Sequence, residues 1–183
     1  MKMKNKGYTL IEMMVAVAVF TLVIAAPTGF FVTALKGQQK TLSSQELSAN
    51  VSYVLDYMSR ALRMAKKDLA GDCISQDFNY ELSPGGNSIK FKNYNDICQE
   101  FYLDNGKLKE TRYGLGTVVL TPEDLEVVSF KLGSYDSWGQ EEDRQAMVTL
   151  FLEVKGTKSQ RPELQPVIKI QTTVSQRNLD VRY

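Results

Sequence analysis

The chain has 183 residues, a formal net charge of +1 and no histidine. Near-neutral charge gives no whole-chain attraction to nucleic acid or acidic substrates. The missing imidazole removes the commonest general base and metal ligand, so no Ser-His-Asp or Cys-His site can be assembled. With no glycine-rich phosphate loop and no Cys-x-x-Cys pair either, the sequence points to a non-enzymatic protein without a cofactor.

The first element is a long apolar run. Lys2, Lys4 and Lys6 precede Gly7, and from Tyr8 to Leu35 the only charged side chain is Glu12. The run exceeds the ~20 residues that a bilayer-spanning helix needs. A carboxylate at membrane depth costs ~2.5–3.5 kcal/mol even on the lenient insertion scale, so Glu12 needs a reason to be there. Lysines before the span predict a cytoplasmic N-terminus, with everything after Lys36 across the membrane. Ala25-Ala26-Pro27 has the look of an ordinary signal cleavage site. Against it, Glu12 would interrupt the apolar core of such a signal, and apolar character resumes at Phe30, Phe31 and Val32. Pro27 and Gly29 should break or kink the helix, because proline removes a helical hydrogen bond and clashes with the preceding turn.

Gly7-Tyr8-Thr9-Leu10-Ile11-Glu12, behind a lysine-rich leader and followed by the apolar Met13 to Phe20, resembles the processing site of type IV prepilins and of type II secretion pseudopilins. The resemblance covers roughly the first 60 residues. It implies that a membrane aspartyl prepilin peptidase cuts after Gly7 and that Tyr8 is N-methylated. Other pilin or pseudopilin subunits, an assembly platform membrane protein and an assembly ATPase are the implied partners. Tyr8 stands where phenylalanine is commonest in the family, and Pro27 lies slightly earlier than in most major pilins. Glu12 would then pair with the methylated amine of Tyr8, in its own chain or in the preceding subunit, which offsets its desolvation. The alternative is a glutamate that snorkels to the headgroups about one turn away.

After the arm, about 145 residues remain, enough for one domain with a single core. From Thr41 to Lys67 the apolar residues Leu47, Val51, Val54, Met58, Ala61 and Ala65 recur at steps of three and four, predicting an amphipathic helix. Arg60, Arg63, Lys66 and Lys67 suit its negative pole, and Gly71 marks the stop. The expected organisation is a leader at 1–7, a hydrophobic helix at 8–35, its amphipathic half at 36–67 and a β-rich head at 68–183.

Cys73 and Cys98 are the only cysteines. An extracytoplasmic location favours a disulfide between them over two buried thiols. Beyond Cys73 the period becomes two. Strands are expected at Ser88 to Lys92, Ile97 to Leu103, Leu108 to Tyr113, Val118 to Leu120, Leu125 to Leu132, Ala146 to Lys155 and Val167 to Val174. Asp104-Asn105-Gly106-Lys107 is a hairpin turn, and the run from Met147 to Val154 should be central. The fold class is α+β, a long helix on one face of a largely antiparallel sheet. This plan is similar to that of minor pilins and J-type minor pseudopilins.

Two further sites can be named. Asp136, Glu141, Glu142 and Asp143 cluster around Trp138 and could hold calcium, although a solvated linker explains them equally well. Lys90, Lys92, Lys107, Lys109, Tyr94, Tyr102 and Arg112 could form a DNA-contacting surface of a DNA-uptake pilus. The plainer account is a solvent face interrupted by Asp96, Glu100 and Glu110. The rival to a pilus or pseudopilus subunit is an uncleaved single-span membrane protein whose outer domain binds a ligand or senses the envelope.

Overall fold

The computed structural model describes residues 7–83, 86–133, 145–159 and 161–177. The chain forms two compact units, Met1–Thr41 and Leu42–Tyr183. One helix, α1 (Leu10–Arg63), contributes its first part to the former and its second part to the latter.

In the first unit α1 carries no charged side chain from Met13 to Leu35. Its most apolar 18-residue window has a mean hydropathy of 2.3, with none of that window buried. The expected break at Pro27 and Gly29 is corrected: α1 runs unbroken through both. Pro27 offers no N–H to the carbonyl one turn earlier, so a single rung is lost. Threonine hydroxyls bond the same stretch of backbone, Thr28 Oγ1 donating to the Ile24 carbonyl at 2.8 Å and Thr33 Oγ1 to the Gly29 carbonyl at 3.0 Å. Such local bonds let a proline-bearing apolar helix continue.

In the second unit α1 becomes amphipathic. Leu47, Val51, Val54, Met58 and Leu62 are buried, each spaced three or four residues from the next. Leu62 takes the place of the expected Ala61, which is only partly buried, and Ala65, just past the helix end, is buried as expected. The helix stops at Arg63, short of the expected Lys67, because tertiary donors take its last carbonyls. Tyr80 Oη donates to the Leu62 carbonyl at 2.8 Å and the Arg177 amide to the Arg63 carbonyl at 2.8 Å. Gln176 Nε2 donates to the Ala65 carbonyl, also at 2.8 Å. Lys66 already belongs to an isolated antiparallel bridge with Lys92.

The strands form two antiparallel sheets where one was expected. The first follows chain order: β1 (Glu81–Leu82), β2 (Ser88–Lys92), β3 (Cys98–Asp104), β4 (Lys107–Arg112) and β5 (Gly116–Val119). The second is β6 (Leu125–Leu132), β7 (Met147–Gly156) and β8 (Val167–Ser175), with β7 in the centre as its apolar run predicts. The β3–β4 turn has Asn105 at φ 50° and Gly106 at φ 71°, the pair of left-handed residues that a type I′ hairpin requires. Both sheets contribute to one apolar core with the second half of α1. Ile89, Phe91, Phe101 and Leu108 enter from the first, and Leu125, Phe130, Val148, Leu150 and Val154 from the second. Each fully buried side chain of this size stabilises the fold by ~1.5–3 kcal/mol.

Cys73 and Cys98 form a disulfide that ties the loop after α1 to the first residue of β3, with Cα atoms 5.3 Å apart. That loop is organised by Asp68, which is fully buried. Its carboxylate accepts from the amides of Cys73 (2.7 Å), Ile74 (3.1 Å) and Gly71 (3.2 Å), and from Lys92 Nζ (3.3 Å). Burial pushes the Asp68 carboxyl up, but the two amides of Cys73 and Ile74 and the Lys92 ammonium outweigh it and hold it at about 2.

Candidate functional site

The candidate site is the start of α1. Gly7, Tyr8 and Thr9 precede the helix, which begins at Leu10. The Gly7–Tyr8 peptide bond therefore lies in non-helical chain. A Cβ added at Gly7 would meet nothing within 4 Å, and Tyr8 is 80% exposed. Among the described residues nothing covers this bond.

Thr9 and Glu12 define the helix start. The Glu12 amide donates to Thr9 Oγ1 at 3.4 Å, and the Thr9 amide donates to Glu12 Oε2 at 3.5 Å. The Met13 amide donates to the Thr9 carbonyl at 3.2 Å as the first helical rung. This reciprocal arrangement is a capping box, in which a threonine at the N-cap and a glutamate three residues on satisfy two orphan amides. The Thr9-x-x-Glu12 spacing is the signal in the sequence that carries this cap. The carboxylate also sits in the first turn, where the positive pole of the helix favours an anion. One side chain thus caps the helix and presents an exposed negative charge, and the two roles are compatible. Lys2, Lys4 and Lys6 lie outside the described residues.

The cations of the basic–aromatic surface suggested for DNA each meet a partner within the chain. Lys92 is engaged with Asp68, and Lys109 Nζ lies 2.6 Å from Asp104. Lys107 Nζ donates to the carbonyls of Pro122, Glu123 and Leu125 at 2.6–3.0 Å. Arg112 Nε lies 2.6 Å from Glu110 Oε1. Lys90 stands over the Tyr113 ring, 4.9 Å from its centroid. Three of these five cations thus lie against a carboxylate, which offsets their charge toward phosphates.

Glu110, read from the sequence as an interruption of a solvent face, is buried on the opposite face, under α1. Its carboxylate accepts from Tyr57 Oη (2.6 Å), Gln99 Nε2 (2.7 Å) and Arg112 Nε, and Arg112 Nη2 donates to Tyr57 Oη at 2.6 Å. Burial and the bond to Glu110 push the Tyr57 phenol up from 10.0. The network fixes α1 to β3 and β4. The calcium candidates Asp136, Glu141, Glu142 and Asp143, with Trp138, lie outside the described residues. Among the described residues no group of three or more acidic, cysteine or histidine side chains could hold a metal.

Residues 2–26 match the family model described as the prokaryotic N-terminal methylation motif. No curated protein and no solved structure matches the chain significantly. The matched segment contains the open Gly7–Tyr8 bond, the Thr9–Glu12 cap and most of the apolar run, and with the disulfide-tied α+β head that follows it fits the plan of a pilin. The chain carries the signature of the type IV prepilins.

Proposed function

We propose that the chain is a minor structural subunit of a type IV pilus or type II secretion pseudopilus, with no catalytic activity and no resident cofactor. It is made as a prepilin with its N-terminus in the cytoplasm. Prepilin peptidase removes Met1 to Gly7 and methylates the amine of Tyr8. The apolar part of α1 then holds the subunit in the cytoplasmic membrane until an assembly platform protein and its ATPase move it into the filament, with the β-rich domain outside.

The observation that carries this reading is the Gly7–Tyr8 bond, placed within the methylation motif and just before a capped helix start. Peptidases bind extended chain, and a bond already outside the helix needs no unwinding. Glu12 supplies the charge that an incoming subunit matches to the methylated amine of a neighbour, since pairing offsets the cost of a carboxylate in hydrocarbon. The engaged cations of the first sheet argue against a DNA-uptake role.

The test is coexpression with a prepilin peptidase. Wild-type chain shortens by its leader, whereas Gly7→Leu stays full length, because a site built for bare backbone rejects a side chain. Cleavage of Gly7→Leu at the same bond sinks the proposal.

A further inference from the structure

The chain crosses from the first sheet to the second between β5 and β6, and the crossing wraps around the start of β4. The Leu120 amide donates to the Leu108 carbonyl at 2.9 Å, and the Leu108 amide to Thr121 Oγ1 at 3.2 Å. On the far side the Val127 amide donates to the Gly106 carbonyl at 2.8 Å. The approach is close: a Cβ added at Gly106, whose φ is +71°, would lie 3.3 Å from Glu126 Cγ.

At the centre of this wrap stands one ammonium. Lys107 Nζ donates to the carbonyls of Pro122 at 2.6 Å, Glu123 at 3.0 Å and Leu125 at 2.7 Å. An ammonium has three donors, so this single loop takes all of them. The remaining carbonyl of the loop, that of Asp124, accepts from the Thr157 amide at 2.8 Å, just beyond β7. Among the described residues Lys107 makes no ion pair, although Glu123, Asp124 and Glu126 stand in the same segment. Its partners are backbone oxygens alone.

We propose that residues 122–125 form a carbonyl cation site of the monovalent, ammonium-like class, filled by the chain's own Lys107, and that this cation fixes the crossing between the two sheets. Three carbonyl oxygens that converge on one point replace the hydration shell of a small cation, as carbonyl rings do for potassium. With the cation gone, the same three dipoles point their negative ends at one another. The lengths are those of N–H···O bonds, and two of the three exceed the about 2.3–2.6 Å of calcium to oxygen. Arginine is a poor substitute, because its planar fork aims its donors along separate lines rather than from one centre. Lys107 is a positioning residue: it acts through the loop backbone on the start of β6 and, through Asp124 and Thr157, on the end of β7. The site is independent of leader processing and of assembly.

The test uses the full chain in detergent with its native disulfide intact. In wild type, acetic anhydride should acylate Lys107 on the order of tenfold more slowly than the exposed Lys131, because every N–H of Lys107 is held. Lys107→Ala deletes Cγ, Cδ, Cε and Nζ, the heavy atoms of propylammonium, and should lower the melting temperature by on the order of 5 °C. Propylammonium chloride should restore that loss saturably, whereas tetramethylammonium chloride, which has no N–H, should not. Lys107→Met fills the channel left by the side chain and should respond to neither salt. Four results overturn the proposal: equal acylation of Lys107 and Lys131, an unchanged melting temperature in Lys107→Ala, equal effects of the two ammonium salts, or restoration by calcium at a lower concentration than by propylammonium. The acylation arm stands even if Lys107→Ala does not fold.

Discussion

Thr9 and Glu12 bond each other's backbone amides at 3.4 and 3.5 Å, so the carboxylate that marks the prepilin motif is also the cap of the helix it begins. A membrane glutamate is usually explained by one partner. Here a local contact accounts for its position in the single chain, and the carboxylate remains exposed.

The two roles separate by substitution. Glu12→Gln keeps an acceptor for the Thr9 amide and removes the charge, whereas Glu12→Leu removes both. Both variants should enter the membrane at least as well as wild type, because a costly charge is gone. Both should fail to join filaments in cells that carry the wild-type major subunit. Normal incorporation of Glu12→Gln alongside failure of Glu12→Leu would show that capping, not charge, is what assembly requires. The check is filament recovery measured beside membrane-fraction abundance.

Reducing the Cys73–Cys98 bond should lower stability by about 3.5 kcal/mol on the chain-entropy model, given its sequence separation of 25. The observable is a lower urea midpoint for reduced protein, together with no thiol labelling of native oxidised protein. Full labelling of both cysteines without reductant would contradict the bond.

Asp68 sets a pH dependence. Its carboxyl titrates at about 2 in the fold and 3.8 in the unfolded reference, so the folded chain binds fewer protons between those values. The ionised group contributes about 2 kcal/mol above about pH 4, and that contribution is lost as pH falls through about 2. Asp68→Asn should therefore be less stable than wild type near neutrality by a similar amount, and the gap should narrow in acid. Urea unfolding of both proteins across this range measures it; a constant gap refutes the assignment.

The Tyr57–Glu110–Arg112 network predicts unequal costs. Tyr57→Phe removes two hydrogen bonds, the one donated to Glu110 and the one accepted from Arg112, but leaves Glu110 its Gln99 and Arg112 partners, and should cost about 1 kcal/mol. Glu110→Ala strands the buried Gln99 amide and the Tyr57 hydroxyl without their acceptor and should cost about 2–3 kcal/mol. Chemical denaturation ranks the two, and equal costs would mean that Glu110 is not the hub.

Much of this was legible in the sequence where the signal is local. The Asn105-Gly106 turn, the α1 stripe from Leu47 to Met58 and the central position of β7 follow from left-handed residues, helical spacing and an apolar run. The misses are long-range. Tyr80, Gln176 and Arg177 end α1 at Arg63 from distant parts of the chain, so no residue near the helix end announces the stop. The split into two sheets depends on which strands pair, and alternation within a strand says nothing about that. Glu110 shares the inward face of β4 with Leu108, as period two requires, but a lone glutamate reads as solvent-facing until Tyr57 and Gln99 are seen around it. β1 spans only Glu81–Leu82, too short to carry a period.

The most direct test of the central claim is the intact mass of the chain recovered from membranes of cells that express a prepilin peptidase. The account predicts a chain beginning at Tyr8 and carrying one added methyl group on its amine. A chain still beginning at Met1, or one cut near Ala26 with the apolar run removed, would contradict it.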